Sequence, residues 1–231
     1  MFGHKENIVA SVKPVRRGDF NPYEDNGGSI GAIAGDDFAV IAADTRLCRG
    51  YNILTRQQTK LFKLANGAVL ATSGCWCDSL TLSKYLEAHL RTYHYEHDQN
   101  MSLTAVAQSC ATMLYARRFF PYFTWTVLAG IDEKEKGVVY AYDPVGHMES
   151  KPYASGGSSS ALIMPLLDSI IGKKNQEHFE KTSLSKKQAV ALLKDVFISA
   201  AERDIHCGDS VHIMVVTKDG IEELSVELRK D

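Results

Sequence analysis

Asp44 and Arg46 stand two apart at the end of an apolar run, Ile41 to Ala43, and Lys60 opens the next β-rich run. Carboxylate, guanidinium and ammonium groups can pair as ions, and a lysine within reach of a hydroxyl can serve as its base, which is the chemistry of acyl transfer. The hydroxyl on offer is Ser29, at the head of the first apolar run and directly after Gly27 and Gly28. Asp204 adds a further carboxylate beside Arg203, with Cys207 three residues on. Without a nucleophile, the same charges amount to a structural ion-pair network.

Other constellations carry less. His89, His94 and His97 crowd one stretch, but five residues between the first two do not stack on one helical face, so solvated histidines at a helix end are the better reading. Cys75-Trp76-Cys77 has one residue between its thiols, not two, and on a strand the two would face opposite ways, so free buried thiols are expected. Asp143-Pro144-Val145-Gly146 reads as a turn with Pro second and Gly fourth. Gly156-Gly157-Ser158 lacks the Lys-Ser/Thr of a phosphate loop and is expected to open a helix against a close neighbour.

The elements that must position these residues alternate in kind. Residues 1 to 27 carry Gly, Pro, Asn and charge without periodicity and read as an extended arm. Hairpins are then expected over Ser29–Ala34 with Phe38–Ala43, and over Lys60–Leu64 with Ala68–Thr72. A helix follows with Asp78 as N-cap and Leu80, Leu82, Leu86 and Leu90 at near-helical spacing, to about Tyr93. A second runs from Ser102 to about Arg118, where Pro121 closes it. After a hairpin of Phe123–Ile131 and Gly137–Tyr142, a third helix runs from Gly156 through Ile171. Ser185 and Gln188 form a capping box for a fourth, to about Arg203, and strands Val211–Thr217 and Ile221–Leu228 end the chain. Two helix pairs interleaved with antiparallel hairpins can each cover one sheet, and two such sheets stacked make a four-layer αββα sandwich.

Composition removes several function classes. The 231 residues hold 26 Lys and Arg against 28 Asp and Glu, a net charge of −2, so there is no basic excess for nucleic acid or anionic lipid. Apolar runs stay far short of the roughly 18–20 residues of a membrane span, and the first ten residues lack the apolar stretch of a secretory signal. Five scattered cysteines, an odd number, predict free thiols in a reducing compartment.

The ordered blocks Gly27-Gly28-Ser29, Ile41-Ala42-Ala43-Asp44-Thr45-Arg46, Lys60, Thr72-Ser73-Gly74 and Arg203-Asp204 resemble those of the N-terminal nucleophile hydrolases and, within them, the proteasome β subunits. The likeness covers nearly all the chain from about Phe20. Arg117-Arg118-Phe119-Phe120-Pro121-Tyr122, Asp143-Pro144-Val145-Gly146 and Phe197 to Asp204 are similar to the non-catalytic subunit at the sixth position of the β ring in particular.

That resemblance implies an N-terminal threonine in active members, with the Asp sixteen and the Lys thirty-two residues after it, the Lys managing the proton and the Asp and a nearby Arg holding the Lys in place. Counting back from Asp44 and from Lys60 reaches position 28 both times, and position 28 is glycine. The resemblance therefore implies no catalytic residue, with Asp44, Arg46, Lys60 and Asp204 as retained remnants. Gly157 and Cys207 stand where active members carry serines that support the terminal amine. A rival reading makes Ser29 the nucleophile of a self-processing serine hydrolase. Against it, a one-residue slip on a strand turns the side chain to the opposite face.

The resemblance further implies a 28-subunit, four-ring assembly of α and β subunits that degrades proteins in ubiquitin-dependent and related pathways, in cytoplasm and nucleus. No cofactor or metal is implied. It makes residues 1–18 a propeptide, trimmed near Gly18-Asp19 by an active neighbour, and 19–231 the single domain. Arg117, Arg118, Phe119, Phe120 and Tyr122 match interface composition, and the resemblance favours them as a subunit contact over a helix end that feeds the core. A balanced charge suits a surface that faces other proteins.

Overall fold

A computed structural model describes residues 21–173 and 183–230. The propeptide expected over residues 1–18, its trimming point and Phe20 lie outside the described residues. Strands β1 (Ser29–Ala34) and β2 (Phe38–Asp44) form the first hairpin, and a small second one, β3 (Leu47–Arg49) with β4 (Asn52–Thr55), projects after it. Then come β5 (Leu61–Lys63), β6 (Val69–Gly74), α1 (Trp76–His97), α2 (Leu103–Tyr115), β7 (Thr124–Ile131), β8 (Gly137–Tyr142), β9 (Met148–Lys151) and β10 (Tyr153–Gly157). Helix α3 (Ser160–Leu167) continues as a π-helical turn over Asp168–Gly172, and α4 (Lys186–Ala201), β11 (Ser210–Thr217) and β12 (Gly220–Glu227) complete the order.

Two five-stranded antiparallel sheets result, β10-β1-β2-β11-β12 and β5-β6-β7-β8-β9. Alternate residues of each central strand enter different cores. Ile30, Ile41, Val69, Val127 and Met214 pack between the sheets. Val40, Ala42, Ile213 and Val215 meet Leu193, Val196 and Phe197 of α4, and Leu70 and Leu128 meet Leu82, Leu86, Val106 and Leu114 of α1 and α2. With both faces buried, these strands read as unbroken apolar runs. Each fully buried Leu, Ile or Phe contributes about 1.5–3 kcal/mol. The αββα sandwich is therefore the observed architecture, in one domain.

Several boundaries differ from expectation for local reasons. Helix α1 begins at Trp76, before Asp78, because the Asp78 carboxylate accepts the Phe123 N–H at 2.9 Å and does not cap the helix. Cys75 precedes that helix and is buried while Cys77 lies in its first turn and is exposed, so the two thiols do not sit on a strand. Ser102 caps α2 by accepting the Ala105 N–H, but α2 ends at Tyr115 and gives way to successive turns up to Phe120, ahead of Pro121. Gln188 Oε1 accepts from Ser185 N and Oγ at the head of α4. Gly156 and Gly157 belong to β10, which pairs with β1, and the third helix starts only after Ser159.

Candidate functional site

Gly28 sits at the entry to β1 with φ +89°, a backbone angle that side chains oppose. A Cβ built there collides with Lys60 Nζ and comes within 2.6 Å of Lys60 Cε and 3.0 Å of Asp44 Oδ1. The lysine end thus occupies the space a nucleophile's side chain would need. Lys60 and Asp44 are 2 % and 0 % exposed, and their ion pair is 2.6 Å long. The ammonium also donates to the Arg46 carbonyl, while Asp44 Oδ1 accepts the Ser29 N–H at 2.8 Å. Burial pushes the Asp44 carboxyl above its ordinary range, against the pull of Lys60 and the amides that donate to it.

Position 46 departs from the sequence expectation. The Arg46 guanidinium turns away from Lys60 and pairs with buried Asp209, Nε to Oδ2 at 2.9 Å, with a further bond to the Ile205 carbonyl. Arg56 donates to the other oxygen of the same carboxylate. Burial alone would raise the Asp209 pKa, but the two guanidiniums outweigh it and hold the carboxyl below its usual range. Asp209 lies 163 residues from Arg46 and has no local sequence signal. The one available pointer was Arg46 itself, since a buried guanidinium demands a carboxylate.

Asp204 stands apart from the lysine pair. Its Oδ2 accepts Ser158 Oγ at 2.6 Å and Ser159 Oγ at 2.5 Å, and Oδ1 accepts the His206 N–H at 2.9 Å. Although burial opposes ionisation, those donors leave its pKa lowered. Ser29 belongs to this neighbourhood by its side chain: Oγ accepts the Ser159 N–H at 3.2 Å, next to the Cys207 thiol. It is bonded to neither Lys60 nor Asp44 through that oxygen. Burial pushes Cys207 up to about 12, which keeps it a neutral thiol. A Cβ at Gly157 would collide with the Gly28 carbonyl, so a serine cannot replace it without displacement.

The segment 21–28 forms a strap bonded to its neighbours at several points. Gly28 O accepts Ser73 Oγ at 2.7 Å and Ser158 N at 3.0 Å. Asn26, only 7 % exposed, bonds through its backbone to Gly74 O and Cys48 N, and through its side chain to Cys48 O and Trp76 N. Sequence reasoning missed this anchor, because a lone Asn in a Gly-rich arm reads as a turn residue.

A family model described as proteasome subunit matches residues 24–216. The chain belongs to the proteasome subunit family. It is 53 % identical over 222 residues to proteasome subunit beta type-1 of Drosophila melanogaster, covering 95 % of this chain and 94 % of that one. Against proteasome subunit beta type-1 of Arabidopsis thaliana, identity is 46 % over 92 % of this chain and 97 % of the relative. Proteasome subunit beta type-6 of Saccharomyces cerevisiae is 40 % identical over 96 % and 95 %. In this proteasome β chain the position-28 glycine and the Lys60–Asp44 pair belong to a domain matched almost end to end.

The remaining candidates resolve simply. His89, His94 and His97 are exposed on α1, which stays helical through His97, and the described residues contain no His, Cys, Asp and Glu cluster fit to hold a metal. Asp143 to Gly146 is the expected turn, with Gly146 N donating to Asp143 O at 3.1 Å. Among the described residues no helix is long and apolar enough to cross a membrane. Tyr122 corrects the expected contact set: it is 6 % exposed and packs into the core beneath α1 and α2, so it presents no surface.

Proposed function

We propose that this chain is a non-catalytic β subunit at the sixth position of the β ring in the 20S proteasome core. It completes the ring with the other α and β subunits of the 28-subunit assembly, in cytoplasm and nucleus, while other subunits supply the threonine nucleophiles. The observation that carries the reading is at position 28: glycine stands there at a positive φ, and the buried Lys60 ammonium fills the space of the missing side chain. A lysine clamped between Asp44 and a carbonyl, with no hydroxyl bonded to it, stabilises a pocket floor and moves no proton to substrate. Ser29 offers no substitute, since its Oγ is engaged by the Ser159 amide.

The test is the intact mass of this chain in isolated core particles, together with labelling by an electrophile selective for N-terminal nucleophiles. A chain that begins ahead of Phe20 and stays unlabelled is expected, its first 18 residues having been removed by an active neighbour. A labelled chain that begins at Ser29 would sink the reading in favour of a self-processing serine hydrolase.

A further inference from the structure

The sequence holds two Asn-Gly steps, Asn26-Gly27 and Asn66-Gly67. At such a step the glycine amide nitrogen can attack the asparagine side-chain carbonyl carbon, because glycine has no Cβ to shield its nitrogen. Whether the attack occurs in a folded chain depends on how firmly the two groups are held, and the fold holds these two steps in opposite ways.

Asn66 and Gly67 lie in the turn that joins β5, an edge strand of its sheet, to β6. Ala65 and Gly67 are exposed, Asn66 is half-buried, and nothing lies within 4 Å of a Cβ placed on Gly67. The Ala68 N–H donates to Asn66 Oδ1 at 3.2 Å, which bends the side chain back over its own following backbone and draws electrons from Cγ. One bond restrains the nitrogen, from the Gly67 N–H to the Leu64 carbonyl at 3.0 Å.

Asn26 is buried, and its side chain is committed elsewhere. Its Oδ1 accepts the Trp76 N–H at 2.9 Å and its Nδ2 donates to Cys48 O at 3.0 Å, both on segments distant from Gly27. The Asn26 backbone is fixed to Gly74 and Cys48, and the Gly27 N–H donates to Asp25 Oδ1 at 2.9 Å. A Cβ on Gly27 would lie 2.7 Å from His206 Cβ, so the step has no room to turn.

We propose that Asn66 is a self-modification site, converted in the folded chain to aspartate and isoaspartate, while the bonds of the strap keep Asn26 intact. Gly67 N forms a bond to Asn66 Cγ and gives up its proton as the side-chain amide departs as ammonia. The succinimide that results then takes up water. Breaking the new bond from nitrogen to Cγ yields aspartate. Breaking the original peptide bond at the main-chain carbonyl yields isoaspartate, whose main chain runs through Cβ and Cγ. Either product adds a negative charge to the turn, and isoaspartate lengthens by a methylene the connection between β5, which follows Lys60, and β6.

The test follows the wild-type full chain through incubation at physiological temperature and mildly alkaline pH, with peptide mass spectrometry that separates aspartate from isoaspartate. Conversion at position 66 is expected to run at least about fivefold faster than at position 26, since several bonds must open at the strap and one at the turn. Both products should appear at position 66. In strong urea, where the fold no longer discriminates, the two rates should come within about threefold of each other. Asn66→Gln, whose longer side chain disfavours ring closure, should show no conversion at position 66. A smaller ratio in the folded chain overturns the proposal. So does aspartate without isoaspartate at position 66, which would mean hydrolysis by water with no attack from Gly67. A ratio that stays above about threefold in urea would assign the contrast to local sequence and overturn the part given to the strap.

Discussion

At position 28 the residue type is set by what surrounds it. The Lys60 ammonium lies in the volume that a side chain there would use, so a hydroxyl introduced at that position meets a collision. Gly28→Thr must adopt φ near +89° and displace an ammonium fixed by Asp44 and the Arg46 carbonyl. It is expected to destabilise the chain by about 1–3 kcal/mol in urea unfolding and to remain uncut at position 28 by intact mass. Self-cleavage in Gly28→Thr would show that Lys60 retreats readily. The pair itself invites a cycle: Lys60→Met leaves Asp44 buried without its cation and should cost about 3–5 kcal/mol, whereas adding Asp44→Asn should return part of that loss. Additive single costs would mean the two groups do not stabilise one another.

Among the elements, the strap is sensitive to single side chains, because it has no sheet ladder of its own and Asn26 makes four of the bonds that hold it. Asn26→Ala deletes the bonds to Cys48 O and Trp76 N and should cost about 1–3 kcal/mol. Limited proteolysis should then cut within residues 21–28 well before the sandwich opens; equal protease resistance in both proteins would place the anchor elsewhere. The strap also marks the boundary of what the sequence discloses. Strands β1, β2 and β11 are legible as apolar runs because both their faces are buried, and α4 is legible because its stripe faces one sheet. Strand β10 is not, since Tyr153–Gly157 gains its extended form from pairing with β1 and not from its glycines. Edge strand β9, Met148–Lys151, is charged and half-exposed, and resembles a loop for that reason. At the site, Gly28, Asp44 and Lys60 are legible through the spacing that the family resemblance implies, while Asn26 and Asp209 act through partners distant in sequence that no local pattern specifies.

Across the whole molecule, Asp209 is where separate parts of the chain are joined. Through Arg46 it holds the end of β2 to the α4–β11 loop, and through backbone bonds with Leu228 and Arg229 it holds the C-terminal stretch to that same loop. Its carboxyl is held below the ordinary range, near 3.9, that it would have in the unfolded chain. The folded state therefore binds a proton there less readily than the unfolded state does. The stability Asp209 contributes is present above that ordinary value and is lost as pH falls through the depressed folded one. Asp204, also lowered, adds to the same acid-side loss. Asp209→Asn is expected to cost about 3–5 kcal/mol near neutral pH, because two arginines lose their shared carboxylate and Arg46 is buried. Its remaining stability should fall less steeply than wild type as pH drops below the ordinary carboxylate value, where Asp209 takes up its proton. Urea unfolding of the isolated chain across that range measures both effects. Parallel wild-type and variant curves on the acid side would mean that other carboxylates, and not this junction, set the acid limit of the fold.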